Sequence, residues 1–226
     1  MEDSPCQAKV IYKALFVDSS FTNTFKEALI KPNNWHINFK DLDTGEGEPP
    51  MQNNTGARVL PSIETHPDYG RTVILEFNND HLNQATNLGY INTLYHEMLH
   101  AYILHLHLKG ELLNVYPQYL DLNTAMQNFL SDLENETLGI IYEKEMHNIY
   151  VDFIDLLANS LLQYCLDNNI TGVNLTYAKK LVWGGLNGND IFYNNLTTEQ
   201  QIDAQALLAY ENSNISANAK GPKTCN

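Results

Sequence analysis

The chain has 226 residues, of which 43% are hydrophobic, so it can bury one core of the size usual for a single domain. Its formal net charge is -14, with only 13 Lys and Arg residues, which argues against a nucleic-acid partner because phosphate binding depends on basic side chains. No apolar run approaches the roughly 18 residues of a membrane span, and residues 1–10 lack the apolar core of a signal peptide. We therefore expect a soluble chain with no membrane partner.

The N-terminal third predicts one short helix and then strands. A Ser or Thr cap opens the helix at Ser20–Ile30. Trp35–Leu42 alternates apolar and polar residues, which is typical of a half-buried strand, and residues 43–57 form a loop rich in Gly, Pro and Asn. Arg58–Ile63 and Arg71–Phe77 are further strands, the second rich in β-branched and aromatic residues.

The rest of the chain predicts helices. In chain order they are a buried central helix from Thr86 to Lys109-Gly110, a short helix at Asn123–Leu133, a long apolar helix at Leu138–Leu166, and two shorter ones at Leu175–Trp183 and Thr197–Tyr210. The pattern predicts an α+β fold in a single domain, 1–226, with its core at about 35–186 and a C-terminal wrapping segment and polar tail at 187–226.

The three cysteines lie far apart and contain no CxxC, which excludes a zinc ribbon and a dithiol redox site. Cys6 and Cys225 lie near opposite termini and can pair if the chain ends meet. Cys165 lies in an apolar helical pattern, so we expect a buried thiol.

The stretch TLYHEMLHAYIL (93–104) places two histidines four residues apart in the central helix. On an α-helix, His96 and His100 are about 40° apart around the axis and one turn apart along it, so both imidazoles can reach one metal ion. Zn²⁺ accepts imidazole nitrogen, and a catalytic zinc site keeps three protein ligands and a water. Glu97 is turned about 100° from His96, where it can act as general base towards that water.

The third ligand does not come from the same helix. The longer pattern HExxHxxGxxH is absent, because the position ten residues after His96 is Leu106. His105 points to the opposite face of the helix, and His107 lies roughly 10 Å beyond His100 along the axis. We expect both to be packing or surface histidines.

The long predicted helix supplies better candidates for the third ligand. His147 lies on a mostly apolar stripe of this helix, where a lone imidazole needs a partner. Glu143 and Glu145 flank it, and a carboxylate there would give a His-His-Glu site. Helical geometry alone does not choose among the three.

HEMLHAYIL resembles the active helix of SprT-like zinc metalloproteases, and the wider stretch ILEFNNDHLNQATNLGYINTLYHEMLHAYI (74–103) is similar to these domains. Their third ligand is a histidine on a following helix, in a pattern to which MHNIYVDFI around His147 is similar. The resemblance covers roughly 73–162. It implies a zincin-like fold, with a small sheet packed on the buried HExxH helix and a second long ligand-bearing helix. It also implies zinc ligands His96, His100 and His147, with Glu97 as the base.

The resemblance implies a zinc endopeptidase whose substrate is a protein or peptide. Glu97 would take the proton of the attacking water and return it to the leaving amine. Tyr142 and Tyr150 are candidates to stabilise the oxyanion, and we expect the strand Arg71–Phe77 to be a sheet edge lining the cleft, where an extended substrate could pair with it.

The resemblance also leads us to expect an exported or toxin-associated bacterial enzyme. The sequence departs from the DNA-linked members because it is acidic and has no cysteine zinc ribbon, so only the fold and the zinc chemistry are carried over. The alternative function is a non-catalytic zincin-fold module that binds a protein partner. Glu97 separates the two hypotheses, since a structural metal site needs no base.

Overall fold

A computed structural model describes residues 5–30, 35–47, 51, 56–66, 70–213 and 215–223 of the chain. Within these residues the elements are, in chain order, α1 (Pro5–Leu15), α2 (Ser20–Leu29), β1 (Trp35–Leu42), β2 (Ala57–His66), β3 (Gly70–Asn78), α3 (Asn79–Leu82), α4 (Asn87–Leu108), α5 (Leu112–Val115), α6 (Leu120–Ser131), α7 (Glu136–Asn148), a 3₁₀ turn (Ile149–Phe153), α8 (Ile154–Asp167), α9 (Leu175–Gly184), α10 (Asp190–Asn195) and α11 (Thr198–Glu211). The fold is α+β, as the sequence predicts.

The strands form a sheet in the order β1-β3-β2, with β3 parallel to β1 and antiparallel to β2. The prediction that Arg71–Phe77 is a sheet edge is therefore wrong, because β3 pairs on both sides. Its side chains from Thr72 to Asn78 are all buried, and a run buried on both faces suits the middle of a sheet. The edge next to α4 is β2.

Helix α4 begins and ends where the sequence predicts. Thr86 is the N-cap, and its hydroxyl accepts the backbone N–H of Gly89 at 3.2 Å. The helix ends at Leu108 with Lys109 as its C-cap. Gly110 follows with a φ of 71°, a left-handed conformation that glycine adopts without strain. Nearly every residue between these ends is buried, so α4 is the central helix of the domain.

The sheet covers one side of α4 and helices cover the other. On the sheet side, the ring of Phe77 stacks on Tyr90 at 5.5 Å between centroids. On the helical side, Phe21 meets the edge of Tyr95 at 5.9 Å, and the Tyr95 hydroxyl donates to the backbone oxygen of Ala14 at 3.1 Å. Because the sheet covers one side of α4 and helices cover the other, its residues are apolar around nearly the whole circumference.

The long helix predicted at Leu138–Leu166 is not continuous. The 3₁₀ turn at Ile149–Phe153 separates α7 from α8. A 3₁₀ turn has about three residues per turn where an α-helix has 3.6, so it rotates the face that follows it. The helix predicted to carry the third ligand, His147, is therefore the 13-residue α7, while α8 buries Leu157, Leu161 and Cys165 in the core.

By length and composition alone, the helical stretch Glu136–Asp167 could cross a membrane. In the structure 56% of its most apolar window is buried inside the protein. The core helix of a soluble protein meets the same criterion, and this stretch carries His147 and much of the core.

The buried core reaches beyond the expected 35–186. Val10 and Ile11 of α1 and Phe25 of α2 are buried in the same cluster, as is Ala204 of α11. Periodicity did not predict α1, whose 11 residues begin at the edge of the described chain.

The cysteines follow their expected environments where the structure describes them. Cys6 is disulfide-bonded. Cys165 is a buried free thiol, as predicted, and burial raises its pKa to about 12. Cys225 lies outside the described residues.

Glu211, a fully buried residue of the C-terminal segment, binds this segment to the start of α4. Its carboxylate accepts hydrogen bonds from the hydroxyls of Thr86 and Tyr177 and from the backbone N–H groups of Lys220 and Gly221. The backbone oxygen of Glu211 also accepts the N–H of Thr86 at 2.7 Å. This segment therefore satisfies donors that the first turn of α4 cannot pair internally.

Candidate metal centre

His96, His100 and His147 converge at one point between α4 and α7. One ligand nitrogen from each ring lies within 4.8 Å of the others. The ring centroids are 4.9 Å apart for His96 and His100, 5.4 Å for His96 and His147, and 5.2 Å for His100 and His147. One metal ion could be held by all three rings.

The orientation of His147 is set by its own helix. Its Nδ1 lies 2.7 Å from the backbone oxygen of Glu143, one turn earlier on α7. A carbonyl can only accept, so Nδ1 carries the proton and Nε2 keeps its lone pair. Metal-ligating histidines are commonly held in this way, through a hydrogen bond from the second ring nitrogen.

His100 carries the clearest local sign of a ligand. Its Nε2 is buried and has no hydrogen-bond partner among the residues described here. A buried polar nitrogen without a partner is costly, and a coordinated ion would satisfy it. Three imidazoles with one such nitrogen are a donor set that fits zinc.

The histidines are held neutral, which is the state that binds metal. Burial lowers the pKa of His96 to about 3, helped by the nearby His147. Burial also lowers the pKa of His100 well below its ordinary value, with His96 and His147 adding to the effect. The pKa of His147 is lowered by burial too.

Glu97 lies beside the triad with its side chain facing the cleft, and it is 8% exposed. Burial and then the charge of Glu143 raise its pKa to about 8, while a hydrogen bond from the backbone of Val59 opposes the rise. Val59 belongs to β2, whose one neighbour among the described strands is β3, so alternate N–H groups of β2 point away from the sheet. The edge strand therefore lies beside the proposed base.

Neither Glu143 nor Glu145 joins the three histidines. Glu143 lines the cleft, and its carboxylate oxygen is 3.8 Å from Nδ1 of His147, the nitrogen that faces away from the triad. Its side chain remains 54% exposed, and partial burial raises its pKa. Glu145 is hydrogen-bonded to Asn148 at 3.3 Å and does not line the cleft.

Tyr150 supports the site from behind. Its fully buried hydroxyl donates to the backbone oxygen of His96 at 2.5 Å, and its ring lies 4.5 Å from the His96 ring and 5.7 Å from the His147 ring. The expectation that Tyr150 stabilises an oxyanion is therefore wrong, because its hydroxyl is committed to the backbone of α4. Tyr142 is buried against Phe129 at 5.1 Å and does not line the cleft either.

The two other histidines of α4 lie outside the cluster, as predicted. His105 is 1% exposed in the core. Nδ1 of His107 lies 2.9 Å from the side-chain oxygen of Asn123 on α6.

A cleft of about 520 Å³ opens over the histidines. One wall is the start of β2, and the other comes from α4, the end of α9 and the C-terminal helices. The lining residues apart from the histidines and glutamates are Gly56, Ala57, Arg58, Val59, Asn92, Thr93, Gly185, Asn189, Leu208 and Asn212. The guanidinium of Arg58 is neutralised by Glu76 at 2.7 Å, so the cleft walls add no free cation from this residue.

Most of the residues that form the cleft wall could not be identified from the sequence. Asn92 carried a usable signal, since it is a polar residue four before His96 on the same face of an apolar helix. The residues from β2, α9 and α11 carried none, because they reach the site only through tertiary packing.

Comparisons with protein-family models, with curated proteins and with solved structures find no match to this chain.

Proposed function

We propose that the protein is a zinc-dependent endopeptidase with a zincin-like fold. The observation that carries the proposal is the convergence of three neutral histidines, one with an unpaired buried nitrogen, at a cleft whose wall also presents Glu97. The HExxH residues lie on a central helix beneath a small sheet, and the third histidine comes from a following helix. This arrangement is consistent with the resemblance to SprT-like metalloproteases.

His96, His100 and His147 would hold the zinc ion and leave a further coordination position facing the cleft. When bound, zinc would lower the pKa of water towards neutrality and polarise a peptide carbonyl. The three rings contribute by staying neutral and by arriving already oriented, which His147 achieves through its bond to the backbone oxygen of Glu143.

Glu97 would move the proton. A carboxylate oxygen beside the histidines can accept a proton from the attacking water and deliver it to the leaving amine. Its raised pKa makes it a stronger base than an exposed glutamate, and a nearby dication would favour its charged form. The backbone N–H of Val59 also favours the charged form of Glu97.

The substrate we propose is an extended segment of polypeptide lying along β2. Residues Gly56–Val59 line the cleft at the open edge of the sheet, where a strand of substrate could add by backbone hydrogen bonds. This replaces the expectation that β3 provides the edge. Cleavage of unfolded and extended peptides, with folded globular proteins resistant, is the expected preference.

The first test is metal content, followed by peptide hydrolysis. Elemental analysis of protein purified without chelator should find one zinc per chain in wild type and in Glu97→Gln, and a clear loss in His147→Ala. Wild type should hydrolyse an unfolded protein such as reduced, alkylated casein, and Glu97→Gln should lose at least about a hundredfold of this activity, in line with the size of general-base effects.

His107→Ala is the matched control, because His107 is a histidine on the same helix as His96 but lies outside the cluster. It should keep both zinc and activity. Zinc absent from folded wild type, and not restored by added zinc, would overturn the proposal. Zinc bound with no cleavage of any unfolded substrate would favour a non-catalytic binding module.

A further inference from the structure

Asn92 is a buried polar side chain in the cleft with no partner of its own. It is 6% exposed and lines the cleft one turn before His96 on α4. Among the residues that the structure describes, none is hydrogen-bonded to its carboxamide. Its amide atoms are not among the fully buried unpaired atoms of the described residues, so the carboxamide can reach a group bound in the cleft.

The protein makes room for this carboxamide. A Cβ on Gly185, at the end of α9, would lie 3.1 Å from Nδ2 of Asn92 and 3.8 Å from Nδ1 of His96. Contacts of 3.1 Å are tighter than a Cβ normally makes, so glycine at 185 leaves room for the Asn92 carboxamide, while the distance to His96 is an ordinary contact. Because the backbone of Gly185 has an ordinary φ of -61°, close approach is the structural reason for glycine that the geometry supports.

Other amide side chains line the same wall of the cleft, opposite β2. Asn189 precedes α10, and its Nδ2 donates to the backbone oxygen of Leu186 at 3.2 Å, which leaves its own oxygen available. Asn212 follows α11 and also lines the cleft. A carboxamide presents one donor group and one acceptor, the same pair that a peptide bond presents.

Asn92 lies one helical turn from His96, which is close enough to meet a chain bound at the histidines. Four residues of α-helix rise about 6 Å, so Asn92 lies about 6 Å from His96 along the axis. An extended chain rises about 3.3 Å per residue, so this distance corresponds to about two residues of substrate.

We propose that Asn92 is a substrate-binding residue whose carboxamide pairs with the main chain of an extended peptide about two residues from the scissile bond. The peptide then lies between the open edge of β2 and this amide. Because Asn92 is uncharged and recognises a group common to all residues, it contributes affinity for peptides of many sequences. This inference rests on the proposed function, since it assigns part of the same site.

The test compares two zinc-chelating probes on the zinc-loaded protein. One is an alanine pseudohexapeptide with a central phosphinate, which carries peptide groups on both sides of the chelating group. The other is acetohydroxamate, which chelates zinc but has no peptide groups beyond. Isothermal titration should find that Asn92→Ala weakens binding of the pseudohexapeptide about tenfold, the size expected for one hydrogen bond in a buried site. Binding of acetohydroxamate and zinc content should stay unchanged.

Asn92→Leu should give the same selective loss, because it keeps the branched shape of the side chain and removes its polar atoms. Asn128→Ala is the matched control, since Asn128 is an exposed helical asparagine on α6, far from the cleft lining. It should bind both probes as wild type does.

The possible failures are distinguishable. Unchanged binding of the pseudohexapeptide by both Asn92 variants overturns the inference and leaves the metal site intact. Equal weakening of both probes, or loss of zinc, means that Asn92 positions His96 and does not contact substrate, which also overturns it. Failure of zinc-loaded wild type to bind either probe overturns the inference and the proposed peptidase function together.

Discussion

Glu97 is a carboxyl group whose surroundings oppose its charge. It has an ordinary pKa of 4.5, and burial followed by the charge of Glu143 raises this to about 8 in the folded metal-free protein. Between these values the folded state holds a proton that the unfolded state has released. The stabilising contribution of this residue is therefore complete below about pH 4.5 and is lost as the pH rises to about 8.

A pH series on the metal-free protein measures this effect. In Glu97→Gln the titrating group is absent, so we expect the stability of wild type relative to this variant to fall by on the order of 3 kcal/mol between about pH 5 and about pH 8. Urea unfolding in the presence of a chelator gives both values. Added zinc should flatten the difference, because a cation beside Glu97 favours its charged form. A flat difference without zinc would mean that Glu97 is not desolvated.

Single residues of the HExxH pattern were predictable because the helix that carries them is regular. Once Thr86 to Lys109 is recognised as a helix, the spacing of His96 and His100 places both rings on one face. His147 was one of three candidates, and only the fold places it against the other two histidines. The rotamer of its ring depends on α7, through the hydrogen bond to the backbone oxygen of Glu143.

The 3₁₀ turn between α7 and α8 connects α7, which carries His147, to the HExxH helix. Tyr150 lies in this turn and donates its hydroxyl to the backbone oxygen of His96. The ring of Tyr150 packs against the rings of both His96 and His147, two of the three histidines. We infer that this turn fixes the distance between α4 and α7, the two helices that carry the three histidines of the candidate metal site.

Tyr150→Phe tests this link. Losing the hydroxyl leaves a buried carbonyl oxygen without this donor, so we expect a loss of about 1 to 2 kcal/mol in stability. Zinc affinity should fall about tenfold, as is usual when a group that orients a ligand is removed. Competition with a chromophoric zinc chelator measures the affinity.

Tyr95→Phe is the matched control, since the Tyr95 hydroxyl also donates to a backbone carbonyl, that of Ala14, on another side of α4. It should cost similar stability and leave zinc affinity unchanged. Equal loss of zinc affinity in both variants would mean that the effect comes from general destabilisation of α4.

The sequence predicts the bounds of an element correctly where a single hydrophobic period runs through the whole element. The bounds of β1 and α4 follow their alternation and their caps, and both agree with the prediction. The break at Ile149–Phe153 was missed because residues on both sides of it are apolar and helical. The position of β3 within the sheet was also missed, because strand order is decided by pairing with β1 and β2.

At the scale of the whole molecule, Glu211 connects the C-terminal segment to the start of the HExxH helix. It lies between Leu208 and Asn212, both of which line the cleft. A Cβ on Gly89 would lie 2.5 Å from the backbone oxygen of Glu211, so the end of α11 packs directly on α4. The wall of the cleft therefore depends on this buried carboxylate.

Glu211→Gln tests the connection. The amide would present a donor group towards hydroxyl and N–H groups that now donate to the carboxylate, so we expect a loss of roughly 3 kcal/mol and a fall in Tm of roughly 10 °C. Thermal unfolding measures it. Glu199→Gln, at an exposed position of the same helix, should change Tm by little. A small effect in Glu211→Gln would mean that the segment is held mainly by its backbone contacts.

The sequence by itself determined the α+β composition, the central buried helix and the pair His96 and His100 with Glu97 beside them. These follow from periods of 3.6 and 2 residues along the chain, which act over short distances and need no knowledge of packing. Tertiary structure alone decided that His147 completes the triad, that β2 is the edge next to the site, and that the ends of α9 and α11 form another part of the cleft wall. Those residues are far apart in sequence, so their meeting depends on how buried faces pack against one another, which no local pattern encodes.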